Sequence, residues 1–139
     1  MRRGEIRWYT FRLPDKRRPV LVLTRNEVID RLNEIIVVPA TRTIRGLTTE
    51  VVLTTDDGMP AVCALNFDHV ALAQRNRIGP VMCSLPEARW VEVRRALLIA
   101  CASVNEKAVE RATRDNRYVL ASTPRTRSRT RGASGQIQV

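Results

Sequence analysis

The feature that most limits what this chain can become is the length of its apolar runs. Through the first hundred residues each run lasts four to eight residues and is then stopped by Pro, Gly, Asp or Asn. Runs that short, without a helical period, are strands bounded by turns. None approaches the roughly 18–20 apolar residues that a membrane-spanning helix needs. Apolar residues make up 44% of the 139, enough for one core and one ordinary domain.

The strands can be placed in order. Glu5–Phe11 alternates with aromatic content, and Leu13-Pro14-Asp15-Lys16 is a turn cluster. Pro19–Thr24 is almost continuously apolar, which predicts a strand buried on both faces with Pro19 at its start. Asn26 is a candidate cap for a helical turn over 27–32. Further strands are expected at 34–41, 48–54, 61–66, 69–73 and 77–83, with a basic exposed loop at 42–46 and a turn at Asp56-Asp57-Gly58-Met59-Pro60. This spacing predicts a mainly β fold: a small barrel-like antiparallel sheet.

The helical signal comes late. Ser84-Leu85-Pro86-Glu87 has the hydroxyl and carboxylate spacing of a capping box, with Pro86 in the first turn. Leu85, Trp90, Val93, Leu97 and Ala100/Cys101 then repeat at helical spacing, predicting one helix that covers the sheet. Residues 1–101 therefore form the expected domain, and 102–139 a basic extension. In that extension Ser103–Glu106 repeats the cap pattern before a thin helical stretch at 107–117, and 124–132 alternates Arg with small polar residues, a composition of disorder.

The formal charge is +10, and the last 38 residues carry 8 Lys/Arg against 3 Asp/Glu. Such a balance suits polyanionic partners, nucleic acid before an anionic membrane surface. Met1-Arg2-Arg3-Gly4-Glu5 lacks the apolar segment of a signal peptide behind it, so the expected address is the cytoplasm. Cys63, Cys83 and Cys101 are odd in number and show no Cys-x-x-Cys spacing, which predicts buried reduced thiols. A single histidine, His69, builds no metal centre. Of Trp8 and Tyr9, neighbours on an alternating strand, Trp8 is assigned to the core and the other outward, and Trp90 to core or dimer contact.

Four short pieces recur in a telling order: Gly4-Glu5-Ile6, Arg18-Pro19-Val20-Leu21, Val38-Pro39-Ala40-Thr41, and Glu50-Val51. Over residues 2–101 this order resembles the MazF/PemK family of toxin endoribonucleases. The resemblance implies a homodimer that cuts single-stranded RNA (mRNA, tRNA or rRNA) without metal or cofactor, and a cognate acidic antitoxin as partner. The family's catalytic Arg and Thr fall on Arg18 and Thr41. Its later Asp-amide-aliphatic strand matches Asp68-His69-Val70, with His69 in place of the amide. The loop between the first two strands is shorter here and lacks the acidic residue that some relatives carry there.

The chemistry agrees. Metal-free RNA cleavage uses the substrate's own 2′-hydroxyl, so the protein must stabilise charge on phosphorus and manage two protons. Arg stays charged, offers a planar fork of donors to phosphate oxygens, and is a poor base. Arg18 is accordingly the electrostatic stabiliser, and Thr41 orients a phosphate oxygen or the 2′-hydroxyl. His69 has the best ordinary pKa for a general base, whereas its family position points to RNA contact or packing, and no base is assigned. Arg17, Arg42, Arg45, Asp68, His69, Arg75 and Arg77 complete the expected RNA surface, with Arg12 and Lys16 nearby. Two other readings compete: a non-catalytic single-stranded nucleic-acid binder, and a protein-targeting toxin like the gyrase-poisoning relatives. The latter end in a Trp-Gly-Ile-type terminus, whereas this chain ends Gln136-Ile137-Gln138-Val139.

Overall fold

The computed structural model describes residues 1–12, 16–101, 107 and 111. The turn expected at 13–15 and the expectations for the remainder of 102–139 lie outside the described residues. Seven strands run in chain order: β1 (Glu5–Thr10), β2 (Arg17–Val22), β3 (Glu34–Thr41), β4 (Glu50–Leu53), β5 (Cys63–Asn66), β6 (Ala71–Gln74) and β7 (Val81–Ser84). A four-residue helix, α1 (Asn26–Ile29), follows β2, and α2 (Trp90–Cys101) follows β7. The strands form one curled antiparallel sheet in the order β4-β5-β3-β2-β1-β7, with β6 also paired to β3.

The apolar run of β2 is buried on both faces, as its composition requires. Leu21 and Leu23 join Ile6, Val38, Ala40, Val51, Leu53, Leu65 and Phe67 in the main core, closed by Val93 and Ala96 of α2. Val20 and Val22 point the other way, into a smaller cluster with Tyr9, Ile29, Ile35, Val37 and Ala73. The link between β6 and β7 closes the curl against β1: Gly79 N–H donates to Trp8 O (2.7 Å), and Trp8 N–H to Pro80 O (3.3 Å).

Two prolines set where the ladders stop. The Leu23 N–H donates to Ile36 O (2.9 Å), so row 23–36 is hydrogen-bonded. In the alternation of antiparallel pairs, the 22–37 and 20–39 rows are then non-bonded. Pro39 nitrogen therefore faces away from β2, at the gap between β6, whose pairing ends at Val37, and β5, whose pairing begins at Ala40. Its missing N–H costs nothing there. Pro19 lies on the opposite phase and turns its nitrogen toward β3, where it has no proton to give. The β2–β3 ladder ends one residue earlier, at Val20↔Pro39.

Several local expectations are corrected. Asn26 caps nothing: the N-cap of α1 is Arg25, without a side-chain bond, because Asn26 Oδ1 is occupied by the Arg3 N–H at 2.7 Å. Ser84 is no cap either. It ends β7, paired with Glu5, and the chain turns through a 3-10 segment, Glu87–Arg89, whose N-cap is Pro86. The capping box forms instead at Thr54 and Asp57, before the left-handed Gly58 (φ 91°). The expected 77–83 strand begins only at Val81, because Arg75–Arg77 make a 3-10 turn. Cys63 is buried, but Cys101, at the end of α2, is exposed. Tyr9 is the core aromatic of its pair, its hydroxyl accepting from Gln74 N–H (3.3 Å), while Trp8 is half-buried.

Arg89 locks the start of α2 to the sheet. Its Nη1 donates to both Asp57 oxygens (2.8 and 2.7 Å), its Nη2 to Val52 O (2.6 Å), and its Nε to the Glu92 carboxylate. The backbone hydrogen bond from Thr54, then the Arg89 fork, hold the Asp57 carboxyl below its ordinary pKa against the opposing effect of burial. Its stabilising contribution is thus full above the ordinary carboxylate range and is lost as pH falls through the lowered value. Asp57→Asn should cost about 3 kcal/mol at neutral pH, and denaturant titrations should show a flatter loss of stability below pH 4 than in the parent. Equal acid sensitivity of the two proteins would contradict the assignment.

Candidate active site

The two residues singled out by chemistry meet at the fraying end of the β2–β3 ladder. Arg18 is paired with Tyr9 on its β1 side, and Thr41 with Ala64 on its β5 side. Two residues beyond Val20↔Pro39, the same register aligns Arg18 with Thr41. By strand alternation both fall on the face of Val20, Val37 and Tyr9, and both are half-buried. Rows of this phase are non-bonded, which brings facing Cα atoms to about 4.5 Å. Pro19 has no N–H to give Ala40, and the β2–β3 ladder ends before this pair.

Thr41 Oγ1 accepts from the Thr43 N–H at 3.1 Å, which leaves the hydroxyl proton for another acceptor. The loop after Thr41 is exposed from Arg42 to Thr48 and is anchored through one carboxylate. Glu50 Oε2 accepts from the N–H groups of Arg45, Gly46 and Leu47 at 3.0, 3.0 and 3.4 Å. Its Oε1 is buried with no hydrogen-bond partner among the described residues. Glu50 pairs with Asn66, and Thr49 hydroxyl donates to Asp68 Oδ2 at 2.6 Å. These contacts join the loop to the turn Phe67–His69, whose Asp68 and His69 are exposed.

The predicted surface residues therefore divide. Arg42, Arg45, Asp68 and His69 are exposed around the Thr41 end. Arg75 opens the 3-10 turn after β6, which pairs with the start of β3, seven residues or roughly 23 Å along the strand from Thr41, and Arg77 closes that turn two residues before Gly79, which lies against Trp8 and Arg17. Arg75 is engaged there, its Nε donating to Leu32 O and its N–H to Asn33 O, each at 2.8 Å. Arg17 adjoins Arg18 in sequence but lies on the opposite face, its guanidinium carbon 4.8 Å from the Trp8 ring centroid. Sequence reasoning assigned no role to Glu50 beyond its place in the fourth motif piece. Its three backbone partners return to it from a loop of irregular conformation, which leaves no periodic signal.

Removing that carboxylate tests the anchor. Glu50→Ala should raise amide exchange at Arg45, Gly46 and Leu47 by about tenfold or more, at a global cost of about 1–2 kcal/mol. Exchange at β1 and β2 should not change beyond the global effect. Unaltered protection of the three loop amides would show that the loop is held by something else.

The fold has close counterparts. A toxin MazF-mt6 from Mycobacterium tuberculosis superposes with a TM-score of 0.64 at 29% identity, covering 69% of this chain and 94% of that one. A MazF from Deinococcus radiodurans gives 0.61 at 25% identity, over 71% of this chain and 94% of its own. In sequence, the probable endoribonuclease MazF2 of Mycobacterium tuberculosis is 42% identical over 93 residues, 66% of this chain and 89% of its own length. Residues 2–101 match the model of the PemK-like, MazF-like toxins of type II toxin–antitoxin systems, and the chain belongs to that family.

Proposed function

We propose that this toxin is an endoribonuclease that cleaves single-stranded RNA by metal-independent transesterification, with Arg18 and Thr41 as its catalytic residues. The observation that carries the reading is their alignment on one face at the open end of the β2–β3 ladder. The substrate's 2′-oxygen attacks phosphorus, the P–O5′ bond breaks, and the proton lost from the 2′-hydroxyl is balanced by one gained at the 5′-oxygen. Products are a 2′,3′-cyclic phosphate and a 5′-hydroxyl. Arg18 neutralises charge growing on the equatorial phosphoryl oxygens, and Thr41 donates its hydroxyl proton to fix one of them. Arg42, Arg45, Asp68 and His69 bind the flanking strand, with Arg75 and Arg77 as additional phosphate contacts.

The partners follow from charge and surface. An acidic antitoxin segment that orders on binding matches the basic Thr41 end, and among the solved relatives is a mycobacterial endoribonuclease in complex with its cognate antitoxin. A cytoplasmic address fits an RNA substrate, and no described helix is long and apolar enough to cross a membrane. Ile36 and Leu72 are cross-strand neighbours, 43% and 60% exposed, an apolar surface that a second copy would cover. Light scattering at micromolar concentration should therefore report a homodimer, and a monomer would count against it.

The activity has a direct test. The protein should cut a long single-stranded RNA in excess EDTA and leave the cyclic phosphate. Activity lost on chelation and restored by a divalent metal would reject the mechanism, and RNA retarded but never shortened would favour the binding-protein reading. Arg18→Ala and Thr41→Ala should each lower single-turnover cleavage about 100-fold or more while changing stability by about 1 kcal/mol or less. Arg18→Lys should recover little, since a point charge lacks the bidentate fork. Cleavage by Arg18→Ala within about threefold of the parent would remove Arg18 from the site.

A further inference from the structure

Consecutive residues at the open ladder end leave the sheet in opposite directions. Arg18 and Thr41 occupy the face of the smaller cluster. Arg17 takes the reverse face, with its guanidinium over Trp8 (4.8 Å to the ring centroid). Arg42 is on that side too: its positive charge reaches Cys63, a main-core residue, and opposes the rise that burial imposes on that thiol. Each site residue is thus paired in sequence with an arginine on the other side of the sheet.

The Arg17–Trp8 pair is built rather than incidental. Gly79 lies against it, its N–H bonded to Trp8 O at 2.7 Å. A Cβ on Gly79 would come within 3.1 Å of Trp8 O, 3.4 Å of Trp8 Cβ and 3.8 Å of Arg17 Nη2. A side chain there would crowd the stack. Among the described residues none accepts a hydrogen bond from the Arg17 guanidinium, and Arg17 is exposed. A guanidinium seated on an indole is a flat, weakly hydrated, permanently charged surface whose outer side is open to a third flat group. Unpaired RNA bases stack on such planes.

We propose that the Arg17–Trp8 stack is a nucleobase platform: the RNA strand passes over the end of β2 and β3, its scissile phosphate at Arg18 and Thr41 and a flanking base on the outer side of Arg17. Arg42 neutralises phosphate along the turn. The proposal rests on RNA being the ligand of the Arg18/Thr41 site and identifies a residue that holds a base beside the cut. It also gives the strand a direction change that a duplex, which is stiff, cannot make.

The test reads binding, so it stands apart from cleavage. Oligoribonucleotides spanning a mapped cut site, with 2′-deoxy at the scissile nucleotide to block reaction, are scanned with a single abasic nucleotide at each flanking position. Affinity for the parent should fall about tenfold or more at one position, and the same abasic substitution should cost Arg17→Ala almost nothing further. Arg17→Lys should keep the salt dependence but not the base-dependent part. Thermal melting shows whether each variant is folded. Abasic penalties identical in parent and Arg17→Ala at every position, or full recovery by Arg17→Lys, would overturn the platform. Failure of the parent to bind these RNAs would overturn it along with the RNA reading, whereas tight binding by a parent that never cleaves the all-ribo strand would reject only the catalytic assignment.

Discussion

An antiparallel sheet must give every backbone N–H a partner, and this molecule depends on two nitrogens that have none to give. Pro19 and Pro39 sit one row apart on neighbouring strands, and both nitrogens point toward the same side of the sheet, one into β3 and the other beyond it. Pro39 faces a break that already exists, where β3 exchanges β6 for β5 along one edge. Pro19 faces β3 itself and ends the ladder at Val20↔Pro39. Two residues beyond that point the same register aligns Arg18 with Thr41, the pair proposed to handle phosphate.

That alignment is useful because everything behind it is fixed. From Val20 through Val22, and on to Leu23 just past its end, β2 is buried on both faces, its side chains shared between two cores. A slip of one residue would exchange the two clusters and place Arg18 where Arg17 stands. The register is therefore held by burial on both sides of the sheet, and the guanidinium inherits that precision. The Thr41 end is positioned differently. Beyond the strand, the chain is gathered by Glu50 through three backbone N–H groups. A carboxylate there also offsets the positive charge of Arg42 and Arg45, which would otherwise repel one another across a short loop.

The order of strands was legible because turn residues punctuate each run, and β2's double burial followed from an apolar stretch with no alternation. Strand ends and caps were less legible. Ser84-Leu85-Pro86-Glu87 and Thr54-Thr55-Asp56-Asp57 both offer a hydroxyl with a carboxylate three residues on. The first serine is taken by β7 pairing with β1, and only the second closes as a box. Asn26 was likewise claimed by Arg3, twenty-three residues earlier. Such losses have one cause: a local pattern states what a side chain can bond, while the fold decides what reaches it first. Arg18 and Thr41 were singled out as candidates by the ordered motif pieces. Their relation in space needed the register, which the fold alone supplies.

The same register explains why the charge on this chain is arranged as it is. A strand end that exposes Arg18 on one face must expose its neighbour on the other, and a basic neighbour there extends the field around the rim of the sheet. Had the reverse-face residue been acidic, it would have paired with Arg18 across the edge and weakened the fork that phosphate needs. With Trp8 beneath it and Gly79 leaving room, Arg17 is instead held over the β1 indole. Two arginines one residue apart repel at close range, and the sheet separates them by sending one to each side. Under the platform proposal both act on a single flexible polyanion that bends sharply enough to touch the two faces at once.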